Sequence, residues 1–265
     1  MTTSDQKKHP VLNFFSLSDQ YARTARFLPA VLTVMVGTPV ALAYGIKMVQ
    51  YLTLITTGVG IGAVLAVGIS HLASALGNRF QQQLWPDWPF DAPTHRWLMP
   101  GEAEKSGQQQ QQWYSAIKSV TGIDIQAVVD SGDQGELRRA INDAVATIRS
   151  RLWKLDCREA DLVRLRNIEY GYARNFTGLR VIWIPISLLS CGGCWAAWWF
   201  FDGELLWLVL SSAIMCVLLP TAFWVLPSYV RQKADYYAHA FFSGLEFLSS
   251  RESGQNSTLN NRLPE

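Results

Sequence analysis

The chain is organised around the segment LVRLRNIEYGYARNFTGLR, residues 162–180. Its apolar side chains recur at helical spacing, which predicts an amphipathic helix. These side chains are Leu162, Leu165, Ile168, Tyr172 and Phe176. Gly171 and Gly178 are costly inside a helix, so they predict close packing or a bend. The segment ends at Arg180, directly before an apolar run that is long enough to cross a bilayer. By position, it links the middle of the chain to that run.

The composition favours a membrane protein. Apolar residues make up 49% of the chain and charged residues 17%, below the roughly 25% typical of soluble domains. The 11 tryptophans are many for 265 residues, and tryptophan is enriched at membrane interfaces. The net charge of +2 is too small to predict a polyanionic partner by itself, so any basic surface must be local.

Four apolar runs predict an all-α membrane protein with two transmembrane helical hairpins that flank a helical cytosolic domain. The runs are residues 27–46 and 48–76 in the first hairpin (27–76), and residues 181–201 and 205–226 in the second (180–227). Each run has at least the length of about 20 residues that a spanning helix needs. The links are short, namely Lys47 in the first hairpin and Asp202, Gly203 and Glu204 in the second.

The remaining segments are predicted to lie outside the bilayer. They are residues 1–26, with an interfacial helix, the helical domain 77–179, and the C-terminal helix and tail 228–265. In the domain, five consecutive glutamines predict the exposed beginning of a helix whose buried side is Trp113, Tyr114 and Ile117. A longer amphipathic helix follows from Leu137 to Leu155. Asp133 and Glu136 suit its start electrostatically.

Basic residues near the ends of the runs predict the orientation. They concentrate before the first run, after the second, before the third and after the fourth. Because cytosolic loops carry the excess of Lys and Arg, both termini and the middle domain are expected to face the cytosol of a bacterial inner membrane.

No catalytic or metal-binding constellation is evident. The four histidines, His9, His71, His95 and His239, are far apart in the sequence, and there is no Walker, HExxH or GxSxG motif. Cys157, Cys191, Cys194 and Cys216 give no disulfide framework, and Cys residues in apolar runs are usually small buried hydrophobes. The sequence therefore favours a protein that is not an enzyme and has no cofactor or metal.

Small residues recur every fourth position in the second apolar run. They are Gly58, Gly62, Ala66, Ser70 and Ser74. Such a stripe lets another helix approach closely, either within one subunit or between subunits. Thr53, Thr57 and His71 lie on an adjoining face and are candidate pore-lining or gating residues.

Basic residues are locally in excess near the end of the long amphipathic helix. The candidate ligand-binding residues are Arg149, Arg151, Trp153, Lys154 and Arg158. Basic side chains with an interleaved aromatic can hold phosphates and stack a base. A solvated helix face is the more common reason for such a run, and the sequence alone leaves both interpretations open.

Several motifs resemble a family of bacterial four-span membrane proteins. The densest is Asn167-x-x-Tyr170-Gly171-x-x-Arg174-Asn175-x-x-Gly178, and the others are Leu84-Trp85-x-x-Trp88, Pro93-Thr94 and Trp113-Tyr114. The family comprises the membrane effectors of nucleotidyltransferase-linked anti-phage systems of the Hailong type. The chain departs from the family pattern at Pro89-Phe90-Asp91, where glycine is usual, and at Tyr172, where phenylalanine is common.

The resemblance implies a homo-oligomeric channel, with a tetramer favoured, and a cytosolic crown domain. It further implies that the crown binds a single-stranded DNA oligomer made by a partner nucleotidyltransferase. Bound DNA would hold the channel shut, and its loss during infection would depolarise the membrane and kill the cell. Two alternatives stay open: a cyclic-nucleotide-gated membrane effector, and a membrane adaptor that conducts nothing.

Overall fold

The structure is a computed structural model that describes residues 22–45 and 59–260, and helix is the only regular secondary structure in those ranges. In chain order, the α-helices are α1 (Leu28–Met35), α2 (Thr38–Ala43), α3 (Val59–Leu84), α4 (Pro93–Arg96), α5 (Gly107–Thr121), α6 (Ile125–Ser131), α7 (Gln134–Lys154), α8 (Arg158–Gly178), α9 (Arg180–Phe200), α10 (Leu205–Pro220) and α11 (Leu226–Asn260). The predicted all-α fold is confirmed.

The chain divides into two compact units, each made of two segments. Unit 1 comprises Met1–Phe80 and Gly171–Tyr229, and unit 2 comprises Gln81–Tyr170 and Val230–Glu265. The sequence predicts residues 228–265 as a separate C-terminal helix and tail. In the structure, most of α11 belongs to the same unit as the middle of the chain.

Three helical stretches are long and apolar enough to cross a membrane. They are Thr24–Ala43, Arg180–Phe200 and the apolar part of Leu205–Gly254. They correspond to the first, third and fourth predicted runs. The second predicted run begins outside the described residues, and its described part is the helix α3.

The first of these stretches is not one regular α-helix. A π-helical turn, Ala22–Phe27, precedes α1. The helix is interrupted by a two-residue turn between α1 and α2. Pro39 lies in the first turn of α2. Proline has no N–H to donate and clashes with the preceding turn, so it ends the regular hydrogen bonding of α1. The predicted run of residues 27–46 did not specify this interruption, and the stretch Thr24–Ala43 is still long and apolar enough to cross a membrane.

The helices α9 and α10 form the hairpin that the sequence predicts. They pack along each other and against α2. The turn at Asp202 and Gly203 joins them, and Asp202 has a positive φ of 50°. A buried cluster centred on Ala73, Leu179, Trp183, Ala222 and Leu226 forms the core of unit 1.

The helix α10 does not end at the predicted boundary of the fourth run. It continues through a π-helical turn, Thr221–Val225, into α11. Pro220 lies at the junction. A π-bulge of this kind absorbs the missing proline hydrogen bond without breaking the helix.

In unit 2, α5, α6 and α7 pack against one another, and α4 packs against α7. Side-chain caps begin α5, α6 and α7. Ser106 accepts from the N–H of Gln109, and Asp133 accepts from the N–H groups of Gly135 and Glu136. Asp133 is therefore the N-cap of α7, as its place before the helix suggested. Trp97, Trp113 and Phe242 stack in the core, with 4.0 Å between the ring centroids of Trp113 and Phe242.

Two details of the predicted burial pattern are wrong. Gln110 is not exposed: its Nε2 donates to the carbonyls of Trp97 (3.0 Å) and Met99 (2.9 Å). Leu162 and Leu165 are exposed, although Ile168 is buried as expected. The buried face of α8 instead contains Val163 and Arg164. Val163 lies near Gly244 of α11, a partner that the periodicity of α8 alone does not reveal.

Candidate functional site

The turn between α7 and α8 is built around one buried arginine. Arg164 donates from Nη2 to the carbonyls of Trp153 (2.9 Å) and Leu155 (2.5 Å), and from Nη1 to Asp161 (2.7 Å). The two carbonyls belong to the C-terminal end of α7, where helix carbonyls lack partners within the helix. Arg164 thereby fixes the shape of the turn and closes the end of α7.

This turn presents part of the predicted ligand-binding set to solvent. Trp153 is 42% exposed. Lys154 and Arg158 are exposed as well, and neither has an ion pair or hydrogen bond among the described residues. We call Trp153, Lys154 and Arg158 the basic turn.

The other two predicted cations are engaged elsewhere in unit 2. Arg151 forms an ion pair with Glu252 of α11. Arg149 lies beside the buried side chains of Tyr237 and His95. The structure therefore places three of the five predicted residues together at one turn, and the other two, which are also exposed, interact with side chains of neighbouring elements.

His95 is buried next to Arg149. Burial first, and then the positive charge of Arg149, lower the pKa of His95 from 6.5 to about 4. Its Nδ1 lies 3.2 Å from the Thr94 hydroxyl. His95 is therefore neutral at neutral pH, which suits a side chain of the core.

The lowered pKa of His95 predicts that the folded protein becomes less stable in acid. Between pH 6.5 and about 4, the unfolded chain protonates this imidazole and the native chain does not, so acidification favours unfolding. The stability present above pH 6.5 should fall by about 3 kcal/mol across this window. Thermal unfolding of the purified full chain measured from pH 7.5 to pH about 4 should show this loss, and His95→Gln should show a smaller one.

His71→Gln is the matched control, because His71 is exposed in α3. It should keep the pH dependence of the parent chain. An identical pH dependence of stability in the parent and in His95→Gln would contradict the prediction.

Unit 2 also contains a cavity of about 390 Å³ that was not predicted from the sequence. It is lined by Leu84, Trp85, Asp91, Pro93, Arg96, Glu104, Arg231 and Asp235. Arg231 and Asp235 are four residues apart in α11, so they share one face of that helix. This spacing was the only local signal for the cavity, since the other walls come from distant parts of the sequence.

Unit 1 contains a close helix crossing near the end of the segment 162–180. Asn175 is fully buried and donates from Nδ2 to the carbonyl of Ala25 at 2.7 Å. At Gly178, an added Cβ would lie 2.5 Å from the backbone nitrogen of Gly77. The predicted close packing at Gly178 is confirmed, and the partner is the backbone of α3.

The candidate pore and stripe residues are described only in part. Thr53, Thr57 and Gly58 lie outside the described residues. The backbone of Gly62 and Ala66 is helical, and their side-chain surroundings also lie outside the description. Ser70 is half-buried and His71 is exposed in α3. Their role in packing or conduction stays a prediction.

The cysteines of α9 take part in packing. Cys194 is buried, and the Cys191 Sγ lies 3.4 Å from the Ser212 hydroxyl of α10. In the ranges that the structure describes, no group of three or more His, Cys, Asp or Glu side chains is placed to hold a metal ion.

Comparison of the chain with protein-family models, with curated proteins and with solved structures finds no match. Its function must therefore be argued from its own residues, and the resemblance to anti-phage membrane effectors stays a prediction.

Proposed function

We propose that the protein is a homo-oligomeric membrane channel of a bacterial anti-phage defence system, controlled by a single-stranded DNA oligomer. A partner nucleotidyltransferase makes the oligomer, the bound oligomer keeps the channel closed, and its loss during infection opens the channel. The supporting observation is that one chain combines apolar helices with exposed large side chains and a polar unit with an exposed basic turn.

The surface of unit 1 suits lipid. Leu189 and Trp224 are each 74% exposed, and Phe201 is 69% exposed. Many large apolar side chains exposed on one unit are typical of contact with lipid or with another subunit. The 21 residues of α9 extend about 31 Å at about 1.5 Å per residue, which matches a hydrocarbon core of about 30 Å.

Aromatic residues mark both ends of the α9–α10 hairpin, and a basic residue marks one of them. At one end are the exposed tryptophans Trp195, Trp198 and Trp199. At the other end, Arg180 lies over the ring of Phe223, with 5.8 Å to the centroid, close to the exposed Trp224. Aromatic belts and arginine at helix ends are typical of the two membrane–water interfaces.

The basic turn has side chains that can bind single-stranded DNA. An exposed indole offers a stacking face that accepts any base, and two unpaired cations offer contacts to successive phosphates. In a homo-oligomer the same turn is repeated once per subunit, so a short oligomer can contact several copies and gain affinity through multivalency.

Reversing the charge of the basic turn should weaken DNA binding. In Lys154→Glu/Arg158→Glu, each lost phosphate contact should reduce the slope of log affinity against log salt by about 0.7. Fluorescence anisotropy of a labelled oligodeoxynucleotide on the full chain in nanodiscs at several salt concentrations measures both effects. Because unliganded channels are open in this proposal, the variant should also be toxic to cells that have met no phage.

Arg139→Glu is the matched control, since Arg139 is exposed on the same helix and about 22 Å from Lys154 at about 1.5 Å per residue. It should keep the affinity and the growth of the parent. If the double variant binds DNA as tightly as the parent protein, the basic turn is not the ligand surface. Weak binding without toxicity would reject the proposed sign of gating.

A further inference from the structure

One carbonyl inside the π-helical turn between α10 and α11 has no donor from its own helix. The N–H of Leu226 bonds to the carbonyl of Thr221, so it is not the donor to Ala222. The next N–H along the helix would come from Pro227, and proline has none. Arg180 supplies the missing donor, because its Nη1 bonds to the Ala222 carbonyl at 3.2 Å. This bond holds the guanidinium of Arg180 at the π-helical turn.

Two aromatic rings hold the same guanidinium. The Arg180 Cζ lies 5.0 Å from the ring centroid of Phe80 and 5.8 Å from that of Phe223, which are cation–π distances. The Nε and Nη2 atoms have no acceptor among the described residues. They form one edge of the guanidinium, and such an edge can donate to two oxygens of one phosphate group. Since Arg180 is only half-buried, this edge is available to a ligand in a fixed orientation.

The surface around Arg180 is apolar. Val181 follows Arg180 in α9, Trp224 and Val225 follow Phe223, and all three side chains are exposed. A free phosphate ion would leave this apolar surface in water. A phospholipid would cover it, because its acyl chains belong to the molecule whose phosphate meets the arginine. Basic sites between membrane helices on the cytosolic side are known to bind lipid head groups.

The charge of this end of unit 1 favours a lipid with a net negative charge. Arg79 directly precedes Phe80 in α3, and its side chain is exposed. The acidic residues in the described part of unit 1 are Asp202 and Glu204. They follow the last residue of α9, whereas Arg180 is its first residue, so about 31 Å of helix at about 1.5 Å per residue separates them. Cations near a membrane surface attract anionic lipids.

We propose that Arg180 binds the phosphate group of an anionic phospholipid, with the acyl chains of that lipid covering Val181, Trp224 and Val225. The bond to the Ala222 carbonyl orients the guanidinium, and Arg79 strengthens the preference for a net negative charge. The inference rests on the membrane location within the proposed function and is independent of the DNA ligand.

Native mass spectrometry of the full chain in detergent tests the site with phosphatidylglycerol and phosphatidylcholine of the same acyl chains. The parent should retain phosphatidylglycerol at the lower lipid concentration, and this lipid should raise its unfolding temperature more. Arg180→Gln should weaken phosphatidylglycerol binding by about tenfold or more, since it removes a hydrogen bond between charged groups. Arg79→Gln should lower the preference for phosphatidylglycerol by up to about fivefold.

Arg139→Gln is the matched control, because Arg139 is an exposed cation on α7 of unit 2. It should keep both lipid affinities of the parent. Inorganic phosphate at millimolar concentration is the third probe, and it should not displace phosphatidylglycerol because it covers no apolar surface.

Three results would overturn the inference. They are equal binding of the two lipids by the parent, parental phosphatidylglycerol affinity in Arg180→Gln, and displacement of the lipid by inorganic phosphate. An unfolded Arg180→Gln is recognised by its thermal unfolding profile, and Val181→Glu then decides. This variant leaves Arg180 and Ala222 in place and puts a negative charge on the lipid surface, so it should lose the preference for phosphatidylglycerol. If it keeps the preference, the site is rejected.

The two proposals fail separately. If the chain stays in membranes after an alkaline wash and shows no preference for phosphatidylglycerol, the lipid site is rejected and the proposed channel stands. If phosphatidylglycerol binds in an Arg180-dependent manner and no DNA oligomer binds, the DNA-gated channel is rejected and the lipid site stands. If the alkaline wash releases the chain, both are rejected.

Discussion

Gly178→Ala is expected to unfold or loosen unit 1. The new Cβ would lie 2.5 Å from the nitrogen of Gly77 and 2.6 Å from the carbonyl carbon of Leu76. Both neighbours are backbone atoms of α3, so no side chain can rotate away, and the two helices must separate. Overpacking of this kind costs about 1–3 kcal/mol or more. Thermal unfolding of the purified chain in detergent, with its yield from the membrane, measures the loss.

Gly192→Ala is the matched control, because Gly192 is also inside an apolar helix and has open space around it. It should be neutral or stabilise α9 by up to about 1 kcal/mol, since alanine is the better helix former. Equal stability of the two variants would mean that the crossing at Gly178 does not hold α3 and α8 together.

Arg164→Met should have the second large effect. Methionine keeps an unbranched apolar stem and removes the guanidinium, which leaves the carbonyls of Trp153 and Leu155 without their donor. Partly buried carbonyls left unsatisfied should cost about 2–4 kcal/mol together. The basic turn should lose its shape, so affinity for an oligodeoxynucleotide should fall even though no cation of that turn has changed.

Denaturant unfolding and the anisotropy titration together test this prediction. Arg164→Lys should recover only part of the stability, because an ammonium is a point charge and does not offer the fork of donors that bonds the two carbonyls and Asp161 together. Arg139→Met, at an exposed position on the same unit, should behave as the parent. Parental stability in Arg164→Met would show that solvent replaces the guanidinium without cost.

Local sequence signals predicted the elements that depend on neighbouring residues. The start of α7 followed from Asp133, a residue whose side chain can cap its own helix. The buried side of α5 followed from the spacing of Trp113 and Ile117. The hairpin of α9 and α10 followed from two uncharged runs with a polar turn between them.

The features that sequence reasoning missed depend on partners far away in the chain. The burial of Arg164 was not predicted, because it depends on carbonyls that only the α7–α8 turn brings to it. The cavity joins Trp85 to Asp235, which are 150 residues apart. No periodic pattern encodes such a pairing. Of the candidate site, the basic turn was predictable from composition and the cavity was not.

The five glutamines that open α5 have a consequence for the length of the chain. Only Gln110 forms buried hydrogen bonds, to the carbonyls of Trp97 and Met99, and it is the third glutamine in the run. If one glutamine is gained or lost, the residue three places before Trp113 is still a glutamine, so the buried amide is replaced by an identical one. The shift falls on the exposed start of the helix near Ser106. The repeated glutamines therefore allow an insertion or deletion of one residue in the run, because the residues that form the core keep their positions on the helix.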